Sequence, residues 1–368
     1  MPRPDPDDLN DLRNGQSPLL LTTPLDRLKP LVAPVVGRIL QYDGSEMDVL
    51  QPEETEAVTP PALLPGMLDR VTGTDEHATL SLMLESARTT VVTHAPVIRR
   101  VYRKAIVRRS GFATWSKSER YASELRASEL VGPLMHVPVL RCCLNYVSWR
   151  YFGHWLMDAV PAALIEPETG MPWLPPESSW GHARDYLNIF DISSLEAPLV
   201  HADRLIVYQD FSQGSHKRTR YRRLRDMVHD RFGGADATDR VYIRRGATGA
   251  RRQITNEPEL LEQLAARGWK IIDVATASAE ALQRCLCKAR CVVGIEGSHL
   301  NHAYFSLPAG SSMVILTPGD RFTTTQLGRC NANRISNGMV ILNGTEKDGY
   351  RIDMDDLWRT IDLTAARG

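Results

Sequence analysis

The sequence lacks any run near the roughly 18 consecutive apolar residues that a membrane-spanning helix requires. Residues Met1 to Gln16 carry Asp5, Asp7, Asp8 and Asp11 and lack the basic and apolar regions of a secretory leader. We therefore expect a cytoplasmic protein, with at most a peripheral association at the inner face of a membrane. An excess of either charge is also missing: Lys+Arg and Asp+Glu number 44 each, for a formal net charge of zero. Such a balance provides no global field for nucleic acid, so anion binding must come from local clusters. Of six cysteines none forms a C-x-x-C knuckle, and Cys285, Cys287 and Cys291 are expected to be reduced, buried thiols rather than zinc ligands. There is no G-x-G-x-x-G after an early strand, which weighs against a dinucleotide-dependent isomerase or dehydrogenase. Asp-x-Asp occurs at Asp5/Asp7 and Asp353/Asp355, in neither case behind a buried strand. No cofactor and no catalytic divalent metal are expected.

What the chain does contain is enough apolar residue, 43% of 368, to bury two cores of ordinary size. We divide it into a polar tail over 1–30, an α/β domain over 31–212, a second α/β domain over 213–350 and a C-terminal helix over 351–368. The first domain is hard to read. Short β-rich runs at Thr89 to Thr93 and Pro138 to Leu144 are broken by proline clusters, and one helix starts near Phe152. The second domain is clearer. Strands are expected at 240–245, 270–274, 291–295 and 313–316. The helices between them are capped by Asn256 and Ser278, and another starts near Ser298. Alternating strands and helices with short connections predict a parallel, Rossmann-like sheet whose ligand crevice lies at the carboxyl ends of its strands.

Two loops fall in that crevice. One runs from Arg245 to Arg252 with three arginines; the other is Gly294-Ile295-Glu296-Gly297-Ser298-His299, leading into a helix. Free N–H groups at a helix start and bidentate guanidinium groups both suit a diphosphate. Taken singly, each loop could equally be a solvated turn. His154 and Asp158, four apart on one helix face, could supply a general base, either the carboxylate itself or an imidazole whose tautomer it fixes, or could form a local pair that only supports the helix. By spacing alone the second reading is the simpler one. Helix capping by itself would account for Asn256 and Glu257. The basic run from His216 to Arg225 could guide an anionic acceptor at a membrane surface, but reads more simply as one solvated helix face.

Taken in order, these motifs resemble glycosyltransferase family 61. His154-Trp155-x-x-Asp158-x-x-Pro161 is followed by Tyr242-Ile243-x-Arg245 and by Arg252-x-Ile254-x-Asn256-Glu257. Gly294-Ile295-Glu296-Gly297-Ser298-His299-Leu300 and Phe305-x-x-Pro308-x-Gly310 complete the set, and the likeness spans about 55–345. It implies an α/β fold of GT-B type, with two Rossmann-like domains facing a central cleft. It also implies inverting, metal-independent transfer from a nucleotide sugar, UDP-linked in our reading, to a hydroxyl of a glycan or lipid-linked glycan. Capsule, exopolysaccharide or lipopolysaccharide assembly is the implied setting. For the base that inverting transfer needs, our choice is Asp158, with His154 as its neighbour or as the base itself. Arg245, Arg252, Asn256, Glu257, Gly294, Glu296, Gly297, Ser298 and His299 would hold the donor. Glu296 stands where the family usually has histidine, and a carboxylate would repel a diphosphate unless paired, so Glu296 would contact sugar hydroxyls or an arginine. That departure leaves open a catalytically silent member that binds nucleotide or glycan as a scaffold.

Overall fold

The computed structural model describes residues 29, 45–74, 78–121, 133–165, 169–234, 238–246 and 252–367. Apart from Lys29 the expected tail lies outside them, as do residues 247–251 of the arginine-bearing loop. Two compact units emerge: one is Met1–Glu46, Val101–Leu140 and Ala197–Leu205, and the other is Met47–Arg100, Arg141–Glu196 and Ile206–Gly368.

The strands up to residue 209 are β1 (Glu46–Gln51), β2 (Glu54–Ala57), β3 (Val91–His94), β4 (Val97–Arg108), β5 (Gly111–Ala113), β6 (Ser118–Arg120), β7 (Leu134–Cys142), β8 (Met171–Trp173) and β9 (Leu199–Gln209). They form a sheet of order β6-β5-β4-β9-β7-β8, with β1 on β4, and a separate β2-β3 pair. Within the first unit, β4, β5 and β6 make an antiparallel meander in which Val107 faces Phe112 and Phe112 faces Glu119. The β-rich runs expected near 89–93 and 138–144 correspond to β3 and to the second half of β7.

The second unit contains β10 (Arg240–Arg244), β11 (Lys270–Asp273), β12 (Cys291–Ile295), β13 (Ser312–Pro318), β14 (Ser336–Thr345) and β15 (Gly349–Arg351), in the order β11-β10-β12-β13-β14-β15. All pairings are parallel except β14 with β15. The apolar runs explain this arrangement. β12 and β13 are buried along their whole length, as strands covered on both faces must be. Val293, Val314, Leu316, Val340 and Leu342 pack with Leu260, Leu264 and Leu357 from the helices Glu257–Ala266 and Met354–Ala365. Each such side chain stabilises the fold by about 1.5–3 kcal/mol relative to exposure.

Local chemistry sets the helix ends. Ser278 Oγ accepts from Ala281 N at 3.1 Å, and Asp353 Oδ1 accepts from Asp355 N at 3.0 Å and Asp356 N at 3.2 Å. The second Asp-x-Asp match is thus a helix cap. Asn256 behaves otherwise. Its side chain makes no cap hydrogen bond but donates to Ile352 O and accepts from Ile352 N, both at 3.0 Å, pinning the strand exit to the C-terminal segment. A second correction concerns Ser298, which opens a short 3-10 turn, Ser298–Ala303, instead of an α-helix.

The strand order fixes where a ligand crevice can open. The chain leaves β10 for β11 on one side, then returns to β12 on the other side of β10. β10 and β12 therefore diverge at a topological switch point, and the segments after their carboxyl ends are Arg245 onward and Glu296 onward.

Candidate active site

Several of the residues expected to hold the donor gather at that switch point. Arg245, just past β10, donates to the Glu296 main-chain carbonyl at 3.1 Å; Arg252 donates to the same carbonyl and pairs with the Glu296 carboxylate at 2.6 Å. Glu296 is only 6% exposed, and its burial is offset by this arginine. Burial, with Arg252 alongside, pushes Arg245 down to about 10, so it stays cationic at neutral pH. Gly297 has φ 154° and a Cβ there would run into the guanidinium groups of Arg245 and Arg252, so glycine is what lets both arginines reach the main chain.

His299 lies beneath them, 7% exposed, and neither ring nitrogen has a hydrogen-bond partner among the described residues. Burial and the neighbouring Arg245, His302 and Arg252 hold it well below the usual imidazole range, so it is neutral. A buried imidazole with both nitrogens unsatisfied is costly unless a ligand engages it. His302 differs: its Nδ1 meets the Tyr186 hydroxyl at 2.6 Å inside a network with Gln283. Burial and His182 push it down to about 3, which marks it as a packing residue.

Three expected donor residues have structural partners. Glu257 pairs with Arg244 at 2.8 Å, Asn256 holds Ile352 as described, and Gly294 faces Leu300 of the 3-10 turn.

The second group stands on the segment Phe152–His154, Trp155–Ala159 and Val160–Ala162, two short α-helical stretches joined by a π-helical turn. The π-turn carries Asp158, and such bulges recur at functional sites. His154 Nδ1 donates to Asp158 Oδ2 at 2.7 Å, a tautomer assigned from the partner it meets. Nε2 is then the basic nitrogen, and the His154 side chain is 30% exposed. Below it Lys217, fully buried, donates to Asp158 Oδ1 at 3.0 Å and to the Asp210 carbonyl at 2.6 Å. Burial opposes charge on Asp158, but the Lys217 ammonium, the His154 hydrogen bond and Arg329 outweigh it and hold the carboxyl well below its usual range.

Lys217 corrects the reading of the basic run as a solvated face. The run lies in the helix Ser215–Phe232, where Lys217 and Arg220 point inward; Arg220 meets Asp210 at 2.8 Å, Arg218 meets Glu56, and Arg225 donates to Asn333 Oδ1 at 2.6 Å. Four cations of the run are thus paired with carboxylates or carbonyls, while Arg222 and Arg223 are exposed.

The two groups adjoin within one unit. A Cβ on Gly153 would strike Asn301 Nδ2 and come within 3.1 Å of Ser298, so the start of the dyad helix rests directly on the 3-10 turn. Arg329 lies 3.3 Å from His154 Nδ1 and donates to Asn301 Oδ1 at 2.7 Å, while Asn301 donates to Ser298 O at 2.8 Å. Lys217, Arg329 and the buried state of His299 carried no signal in the sequence. Only the basic composition of 216–225 hinted at the first.

The family model described as Glycosyltransferase 61 matches residues 152–314, from the dyad helix through both crevice loops. The chain carries a glycosyltransferase family 61 domain over those residues. A search of curated proteins finds no match. The matched region of the transferase contains every residue anticipated for its site, and the parts that lie outside it, Arg329 among them, reach the dyad from the helix Thr325–Asn333. Among the described residues of the transferase, no helix is long and apolar enough to cross a membrane.

Proposed function

We propose that the enzyme transfers a sugar from a nucleoside diphosphate, UDP in our reading, to a hydroxyl of a glycan or lipid-linked glycan acceptor, with inversion and without a catalytic metal. The observation that carries this reading is the position of Arg245, Arg252 and the unsatisfied His299 at the switch point between β10 and β12. Guanidinium groups and main-chain N–H groups there meet the charge that develops on a departing diphosphate, the task a metal serves in other transferases. In this reading His154 is the base and Asp158 the positioning residue, the reverse of our choice from the sequence. A carboxylate held so firmly ionised by Lys217 is a weak proton acceptor. Through its hydrogen bond it keeps Nε2 of His154 available to take the acceptor proton as the C–O bond to the sugar forms and the bond to the diphosphate breaks. One base acting on the acceptor, with the leaving group opposite, requires a single displacement and hence inversion.

A GT-B arrangement and a role in polysaccharide assembly belong to the same proposal and rest on the family likeness. The silent-scaffold reading gains nothing from Glu296, whose carboxylate is paired with Arg252, while the His154–Asp158 dyad is complete. Nucleoside diphosphate release from a panel of UDP- and other nucleotide sugars, with and without acceptor glycans, tests the reading. Acceptor-dependent release from at least one donor is expected, and binding with no release from any donor would favour the scaffold.

A further inference from the structure

The other compact unit holds a cluster with no part in the transfer just described. His201 and Asp203 are two residues apart on β9, so both project from one face of the strand, and β7, which carries His136, is the neighbouring strand. Cross-strand neighbours stand about 4.5–5.5 Å apart at Cβ, which is how His136 reaches the other two. His136 Nε2 lies 3.1 Å from Asp203 Oδ1, and the rings of His136 and His201 stack with centroids 5.2 Å apart at 19°. One donor atom from each of the three side chains lies within 4.8 Å of the other two.

We propose that His136, His201 and Asp203 bind one divalent transition-metal ion of the zinc class, which clamps β7 to β9. Zinc takes imidazole nitrogen at about 2.0–2.1 Å and carboxylate oxygen at about 2.0–2.2 Å, placing tetrahedral donors about 3.4 Å apart. The existing spacing needs only small side-chain rotations to reach that value. The side chains that must move are free to do so, since His136 and Asp203 are each about half exposed. His201, 7% exposed, is fixed by its surroundings and sets the position of the site. Two neutral imidazoles and one carboxylate suit a borderline cation. Magnesium and calcium favour six or more oxygens and are poorly served here. The half-exposed donors leave the fourth position to water. Without an ion the same residues make an ordinary His–Asp pair, and that alternative gives a different experimental result.

The full-length chain, freed of metal by chelator dialysis, is titrated calorimetrically with zinc chloride and with magnesium chloride. Cobalt chloride titration is followed by visible absorption. One zinc per chain, visible cobalt bands of a four- or five-coordinate site, no heat from magnesium and a raised melting temperature with zinc are expected. H136A and D203N, both at exposed positions, are expected to melt like the wild type without metal and to lose more than about tenfold in zinc affinity. Absence of saturable one-to-one zinc binding would overturn the proposal, and so would equal affinity in the wild type and both variants, which would mark an adventitious ion only.

Discussion

Replacing His154 with alanine is expected to lower kcat by about 10²–10⁴ while leaving donor affinity within a few-fold of wild type. The substitution removes Nε2, the one basic atom of the dyad, but leaves Asp158 paired with Lys217 and does not touch Arg245 or Arg252. D158N should fall by a similar factor for a different reason. An amide no longer accepts with a full charge, so the imidazole loses both its fixed tautomer and the partner that stabilises it once protonated. Steady-state turnover at saturating donor, paired with calorimetric UDP binding, checks both variants. If H154A kept wild-type kcat, His154 would not be the base. If D158N alone lost activity, the proton would have to go to Asp158 directly.

The second large effect falls on stability. Lys217→Met removes the ammonium and leaves Asp158 charged in a buried site, a change expected to cost about 3–5 kcal/mol. At about 2.1 cal/mol/K of unfolding entropy per residue, a chain of this length loses roughly 1–2 °C of melting temperature per kcal/mol, so a fall on the order of 5 °C is expected. The pH dependence has a definite sign. Because the folded-state carboxyl of Asp158 is held below its unfolded value, its contribution is complete above about pH 4 and is lost as pH falls through the lowered folded value. The gap between wild type and K217M should therefore be full at pH 7 and narrow on acidification below about pH 4. Denaturant melts at both pH values check it, and a gap that stayed constant or widened in acid would show that Lys217 acts through packing alone.

Sequence alone displayed the parallel sheet of the second unit well, because β12 is an uninterrupted apolar run bounded by polar residues and Gly268 and Ser278 punctuate the helices before it. It placed Arg245 and Glu296 behind the right strands for the same reason. What it could not display were pairings across distance. Lys217 and Asp158 are 59 residues apart, and Arg329 and His154 are 175 apart; nothing local distinguishes such a lysine from its solvated neighbours. Local propensity also misled at two ends. Asn256 looked like a side-chain cap, but two hydrogen bonds to Ile352 claimed its amide. Ser298 looked like the start of an α-helix, but the close approach of Gly153 to Ser298 and Asn301 accompanies a tight 3-10 turn.

Thermal-shift titration of the wild type and of R245A with UMP, UDP and UDP-sugars bears most directly on a diphosphate held at the switch point between β10 and β12. A ligand at a hundred times its Kd stabilises by about 2.7 kcal/mol, so a rise of several degrees is expected for the wild type with UDP, less with UMP, and a much smaller shift in R245A. An absence of any nucleotide-induced shift in the wild type, or an equal UDP shift in R245A, would contradict it.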